Sequence, residues 1–215
     1  MKETMTIHKA LSELKILDSR IENAIIGLDV VAANKHTNTK ISGVAIPDWS
    51  DEAKKAYQSV MTLINRRNAI KRAVTRSNAT TMVTIGGKEY SVAEAIDMKQ
   101  KGTAYLSMLV DRLANQYAKA KRAADAENGD RLDMRADEYV KTLYSGTELK
   151  NMSDEIKKVR DTFVASQTIE ILDPINAGSR VNELQQEIDT FMSDVDSALS
   201  VSNALTTIEV EYETK

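Results

Sequence analysis

Five cations lie close together in the chain, at Arg66, Arg67, Lys71, Arg72 and Arg76. If this stretch is helical, spacings of three to five residues gather several of them on one face, which is an arrangement that neutralises phosphates. That face is a candidate nucleic-acid contact. The competing reading is a solvated flank opposite an apolar stripe, since no aromatic residues interleave for base stacking and the chain carries a formal charge of −3. Lys119, Lys121 and Arg122 form a second, weaker cluster that reads the same way.

Other reactive residue types fall at spacings that do not suit catalysis. Gly86-Gly87-Lys88 lacks the spacing and the following Ser or Thr of a phosphate loop, and reads instead as a strand turn. His8 and His36 are the two histidines, and neither has a second ligand at helical spacing. Asp194 and Asp196, or Asp137 and Glu138, point apart on a helix and serve solubility rather than acid–base work. No serine sits in a Gly-x-Ser-x-Gly elbow, and the chain has no cysteine, which removes disulfides and thiolate chemistry. These patterns predict no catalytic residue, cofactor or metal, and hence a protein that is not an enzyme.

The surrounding elements read as mainly α. Aromatics are 5% of residues, with two prolines and eight glycines, which favours helix over turn-rich folds. Ile7, Leu11, Leu14, Leu17, Ile21, Ile25 and Leu28 predict a helix from about Thr6 to Ala33. A polar stretch follows, with a short strand at 41–46. The next helix, capped by Asp48 or Ser50 and with Trp49 packed at its entrance, runs to about Ser77 and carries the five cations. Residues 81–90 predict a hairpin turning at Gly86-Gly87. Ser91-Val-Ala-Glu94 is a capping box that opens a long helix with Gly102 as its weak point and Asn128-Gly129 as its stop. Two shorter helices occupy 130–173. Met98, Met108 and Met134 fall on helical patterns and read as core, with an adaptable binding surface as the alternative.

The last helix carries Val181, Leu184, Ile188, Phe191, Val195 and Ala198 at alternating intervals of three and four, a heptad seam able to mate with another helix in this chain or in another copy. Thr206 to Glu213 then alternates as a half-buried strand with an acidic outer face. Two passages nearly repeat: Ser77-Asn-Ala-Thr-Thr-Met-Val-Thr-Ile85 and Ser202-Asn-Ala-Leu-Thr-Thr-Ile-Glu-Val210, the second beginning 125 residues after the first. Each reads as one helix-to-strand exit. The expected architecture is a single elongated antiparallel helical bundle over 1–215, a coiled-coil hairpin with a helical insertion at 125–175. A small antiparallel sheet would join the 81–90 hairpin to the C-terminal strand.

The order of elements, the run Leu63-Ile-Asn-Arg-Arg-Asn68, the glycine turn, the capped helix and the terminal heptad helix running into Thr-Thr-Ile resemble the septicolysin-like family of small helical bacterial proteins. The matching portions are roughly 5–33, 51–120 and 180–212. The family name implies an oxygen-labile toxin, but a chain without cysteine has no thiol to oxidise. The chain is also similar to reading frames of phages and prophages, which implies a virion or accessory role. No apolar run approaches the roughly 18 residues of a membrane helix, and Met1-Lys-Glu-Thr-Met5 has no apolar signal core. A cytoplasmic protein is expected, or a virion protein if phage-encoded, acting as a homo-oligomer or as part of a larger assembly. Nucleic acid is the less favoured partner.

Overall fold

The computed structural model describes residues 1–144 and 153–212. It is mainly helical with small antiparallel two-stranded sheets. The elements are β1 (Lys2–Thr6), α1 (Ile7–Ile26), β2 (Lys40–Ile41), β3 (Val44–Ala45), α2 (Ile46–Thr80), β4 (Met82–Ile85), β5 (Lys88–Ser91) and α3 (Val92–Asp97), then a π-helical turn (Met98–Gly102). There follow α4 (Thr103–Glu127), α5 (Asp130–Leu143), α6 (Asp154–Gln167), α7 (Ala177–Leu205) and β6 (Thr207–Glu211). The chain divides into two compact units, one of residues 1–101 and 190–215 and one of residues 102–189.

In the first unit the C-terminal strand departs from expectation. It does not join the 81–90 hairpin. Instead β6 pairs antiparallel with β1, Thr207 opposite Thr6 and Glu211 opposite Lys2, while β4 and β5 form a separate ribbon. The physical reason is that each ribbon has its own helix to cover. Met5, Ile208 and Val210 share a core with Ala69, Ile70 and Val74 of α2, and Ile7, Ala10, Leu14 and Leu17 of α1 complete it. Val83 and Ile85 pack with Val92 and Ala95 against Phe191 and Val195 of α7. The strand pattern of β6 was legible, and Glu213 at its expected end lies outside the described residues. Its partner β1 was hidden because Met5 and Ile7 read equally well as the start of the helical stripe.

Helix boundaries shift for local reasons. Helix α1 stops at Ile26 because Gly27 and then Leu28 turn their N–H groups back onto Asn23 and Ile25, closing the end with a tight turn. Helix α2 starts earlier than an Asp48 or Ser50 cap implies. Ala45 is its N-cap without a side-chain bond, and Pro47 occupies the first turn, where a missing N–H costs nothing. The strand expected at 41–46 is a small hairpin, turned by Ser42 and Gly43 at φ +49° and +90°. Ser91 and Glu94 make both bonds of the capping box. The long helix they open is interrupted by the π turn that ends at Gly102, the predicted weak point.

In the second unit, Gly129 at φ +64° separates α4 from α5, as the sequence implies. Arg160 of α6 donates to Asp137 and Asp133 of α5 at 2.7 and 2.8 Å, and Tyr139 stacks on Phe163 with centroids 4.5 Å apart. Asp173 accepts from the Ala177 and Gly178 amides, fixing the start of α7.

The β4–β5 turn gives a direct test. Gly86 has φ +56°, and a Cβ there would lie 3.0 Å from the Thr190 methyl, whereas Gly87 at φ +78° faces open space. Replacing Gly86 by Ala is expected to lower the unfolding free energy by about 1–2 kcal/mol in urea titration. Gly87→Ala should cost less, and equal losses would show that the Thr190 contact is irrelevant.

Candidate interaction surfaces

The five cations of α2 do not share one face. Helix α2 buries Ile70 and Val74, and the basic residues flank that stripe on both sides. Arg67 and Lys71 line a groove against α1 with His8, Leu11, Lys15 and Asp18, about 480 Å³ in volume. Arg72 and Arg76 line a groove of about 310 Å³ with Lys2, Glu209 and Glu211.

Arg66 sits between these flanks and is tied down. Its Nε donates to Glu13 and its Nη2 to Glu3 at 3.0 Å, and its Nη1 donates to the Tyr212 hydroxyl. The guanidinium also lies 5.0 Å from the centroid of the Tyr212 ring. Tyr212 is 8% exposed, and its backbone exchanges bonds with Met1, so Arg66 fastens both strands of the β1–β6 ribbon to α2. Hydrogen bonding from Arg66, then from Lys9, holds the Glu3 carboxyl below its ordinary value of 4.5. Glu13 and Glu3 in turn hold the Arg66 guanidinium more firmly protonated.

Arg67 makes two exposed bonds, to Asp18 at 2.9 Å and to the Asn68 side-chain oxygen at 3.4 Å. Lys71, Arg72 and Arg76 have no ion-pair partner among the described residues. A periodicity argument finds cations but not their carboxylates, which here come from residues about 50 to 60 positions away in the chain.

The heptad seam is already filled within the chain. In the second unit Leu184 and Ile188 share a core with Val110, with Val181, Leu106 and Leu113 against it. In the first unit Phe191 and Val195 carry the β4–β5 ribbon, and the Tyr90 and Phe191 rings meet edge-on at 5.5 Å. Among the described residues, these seam positions are occupied by contacts within the chain.

Exposed apolar residues lie elsewhere. Tyr105 and Met108 are each 68% exposed and Leu109 is 45% exposed, at i, i+3 and i+4 of α4. Met108 and Met134 are therefore on the surface rather than in the core, while Met98 packs beside Val92 and Phe191. The heptad spacing drew attention to α7 because a regular stripe is easier to see than a short patch on a helix whose other face is also apolar. Among the described residues no helix is long and apolar enough to cross a membrane, and no cluster of side chains could hold a metal ion. Compared with protein-family models, curated proteins and solved structures, the chain matches none.

Arg66→Met is expected to lower the unfolding free energy by about 1–2 kcal/mol, the value of partly screened charged hydrogen bonds. Arg67→Met removes an exposed pair and should cost less than about 1 kcal/mol. Paired denaturant titrations check the order, and an equal cost would remove Arg66 from the centre of the network.

Proposed function

We propose that the protein is a non-enzymatic assembly component that packs against copies of itself or a larger scaffold. In keeping with the resemblance noted above, we place it among phage or prophage proteins, in the cytoplasm or the virion. The observation that carries this is the apolar patch of Tyr105, Met108 and Leu109 on α4. Large apolar side chains grouped on one helix face favour burial against a partner, at about 25 cal/mol per Å² covered. A methionine and a tyrosine suit that role, since one adapts to an irregular neighbour and the other adds a polar tip to a large contact. The two-stranded ribbons add open strand edges, which suit pairing with a neighbour's strand. The seam of Val181, Leu184, Ile188, Phe191 and Val195 supports assembly only indirectly, by holding the surfaces that dock.

A second function rests on Lys71, Arg72 and Arg76, exposed cations without ion-pair partners among the described residues. It is a nucleic-acid accessory role in which Arg66 and Arg67 are already committed to carboxylates and contribute little. Binding would weaken steeply with added salt.

Light scattering after gel filtration tests the first role. The wild type is expected to run as an oligomer, and Tyr105→Glu with Met108→Glu should shift it toward the monomer while leaving the melting temperature within a few degrees. A wild-type monomer that copurifies with no protein would overturn it. Salt-sensitive retardation of DNA or RNA that disappears in Lys71→Glu/Arg72→Glu/Arg76→Glu would establish the second role instead.

A further inference from the structure

The first unit holds two corresponding halves, which differ in what borders the groove between α1 and α2. The Thr81 amide donates to the Ser77 carbonyl at 2.8 Å, and the Thr206 amide to the Ser202 carbonyl at 2.9 Å. The Thr81 carbonyl then accepts from Val92, and the Thr206 carbonyl from Ile7, each the first residue of a helix capped by Ser91 or Thr6. The ribbons share a register, Met82 opposite Ser91 and Thr207 opposite Thr6. Buried positions carry across, Ala95 matching Ala10, Val195 matching Ile70, and Val83 and Ile85 matching Ile208 and Val210. The packing is crossed: the ribbon that leaves α2 lies on α7, and the ribbon that leaves α7 lies on α2.

His8, Leu11, Ser12 and Lys15 stand at i, i+3, i+4 and i+7 of α1, and Arg67 and Lys71 at i and i+4 of α2, so two aligned rows line one groove. Its volume of about 480 Å³ falls within the roughly 300–1,000 Å³ of small-molecule sites. Its apolar lining is Leu14, which is buried, and Leu11, which is 40% exposed. Arg67 is paired with Asp18, the one carboxylate that lines the groove. Lys15 and Lys71 have no ion-pair partner among the described residues, and α2 offers none, since no Asp or Glu lies between Glu52 and Glu89. Two lysine charges are left uncompensated beside low-dielectric walls, which focus their field into the groove.

The fold does not require these cations. His8, Ser12, Arg67 and Lys71 match Ala93, Asp97, Met192 and Asp196 of the other half, whereas the apolar Leu11 matches the apolar Ile96. The groove that includes Ala93 and Asp97 is lined also by Tyr90, Glu94 and Met98 and has no cation. On the other flank of α2, Glu209 and Glu211 largely offset Lys2, Arg72 and Arg76.

We propose that the α1–α2 groove binds a small phosphate monoester carrying an apolar group, with the phosphate between Lys15 and Lys71 and the apolar group over Leu11. A monoester carries nearly two negative charges at neutral pH, matching the two uncompensated lysines. Ammonium groups bind phosphate as compact point charges and need no planar fork. Inorganic phosphate would leave Leu11 in water, and a sulfate ester brings a single charge. The site is independent of the α4 patch, and it claims Lys71 for a small ligand rather than for nucleic acid.

Isothermal titration calorimetry of the full chain at low salt tests this with hexyl phosphate as the probe. Hexyl phosphate is expected to bind saturably and at least about tenfold more tightly than inorganic phosphate or hexyl sulfate. Lys15→Gln/Lys71→Gln should weaken it at least about tenfold with the melting temperature kept within a few degrees. Leu11→Ser should bring its affinity down toward that of inorganic phosphate, and Arg72→Gln/Arg76→Gln should leave it unchanged. No saturable binding, equal affinity for inorganic phosphate or hexyl sulfate, or binding that survives loss of both lysines would overturn the proposal. So would a single-stranded oligonucleotide that binds more tightly and displaces hexyl phosphate, or association with phosphatidic-acid vesicles without binding of hexyl phosphate, since these would assign the lysines to a nucleic-acid or membrane surface.

Discussion

Two carbonyl groups govern how the first unit closes. The residue that ends each exit helix, Thr81 or Thr206, turns its N–H back into the helix and offers its C=O to the first residue of another helix. One residue thus ends a helix, starts a strand and ties down a neighbouring N-terminus, satisfying groups that would otherwise be orphaned at both helix ends. A two-stranded ribbon alone is marginal in water. Each ribbon here persists because its inner face, Val83 and Ile85 in one case and Ile208 and Val210 in the other, is buried against a helix that belongs to the opposite half.

Crossed packing makes the halves interdependent. Removing apolar contact at Ile70 weakens the ribbon attached to α7, and removing it at Val195 weakens the ribbon attached to α2. The β4–β5 ribbon closes over a two-glycine turn, whereas β1 and β6 come from opposite ends of the sequence and must pay a far larger loop-closure entropy. The strands that need most help in meeting are the ones held by the Arg66 network. Three side-chain hydrogen bonds from one guanidinium compensate locally for a connection that topology makes costly.

Much of this was legible in residue patterns, and the failures have definite causes. Gly86-Gly87, the Ser91–Glu94 box and Gly129 were visible because a left-handed backbone or a reciprocal cap demands particular residue types at fixed spacing. The alternation of β6 was visible for the same kind of reason. Its partner was not, since antiparallel pairing depends on which ends meet, and Lys2–Thr6 is short enough for its single buried methionine to pass as part of a helix. The basic cluster was legible as residues, but the division of its cations between two flanks of α2 was not. A helical wheel ranks positions around an axis but is blind to Glu3 and Glu13, which convert Arg66 from a free cation into a fastening. The exposed Tyr105 was missed, and Met108 was read first as core with a binding surface as the alternative, because an apolar residue at helical spacing carries no mark of which face it lies on.

The same logic separates what the chain spends on folding from what it leaves for contact. The heptad stripe of α7, which looks designed for a partner helix, is consumed internally by Val110 and Leu106 at one end and by the β4–β5 ribbon at the other. A regular seam in a sequence is therefore evidence of a mating surface, not of a second molecule. Among the described residues, the surfaces outside the folding contacts include an aromatic, a methionine and a leucine on α4, three cations on α2 and the edges of the two-stranded ribbons. On the proposed reading, function is carried by residues that the folding pattern does not require.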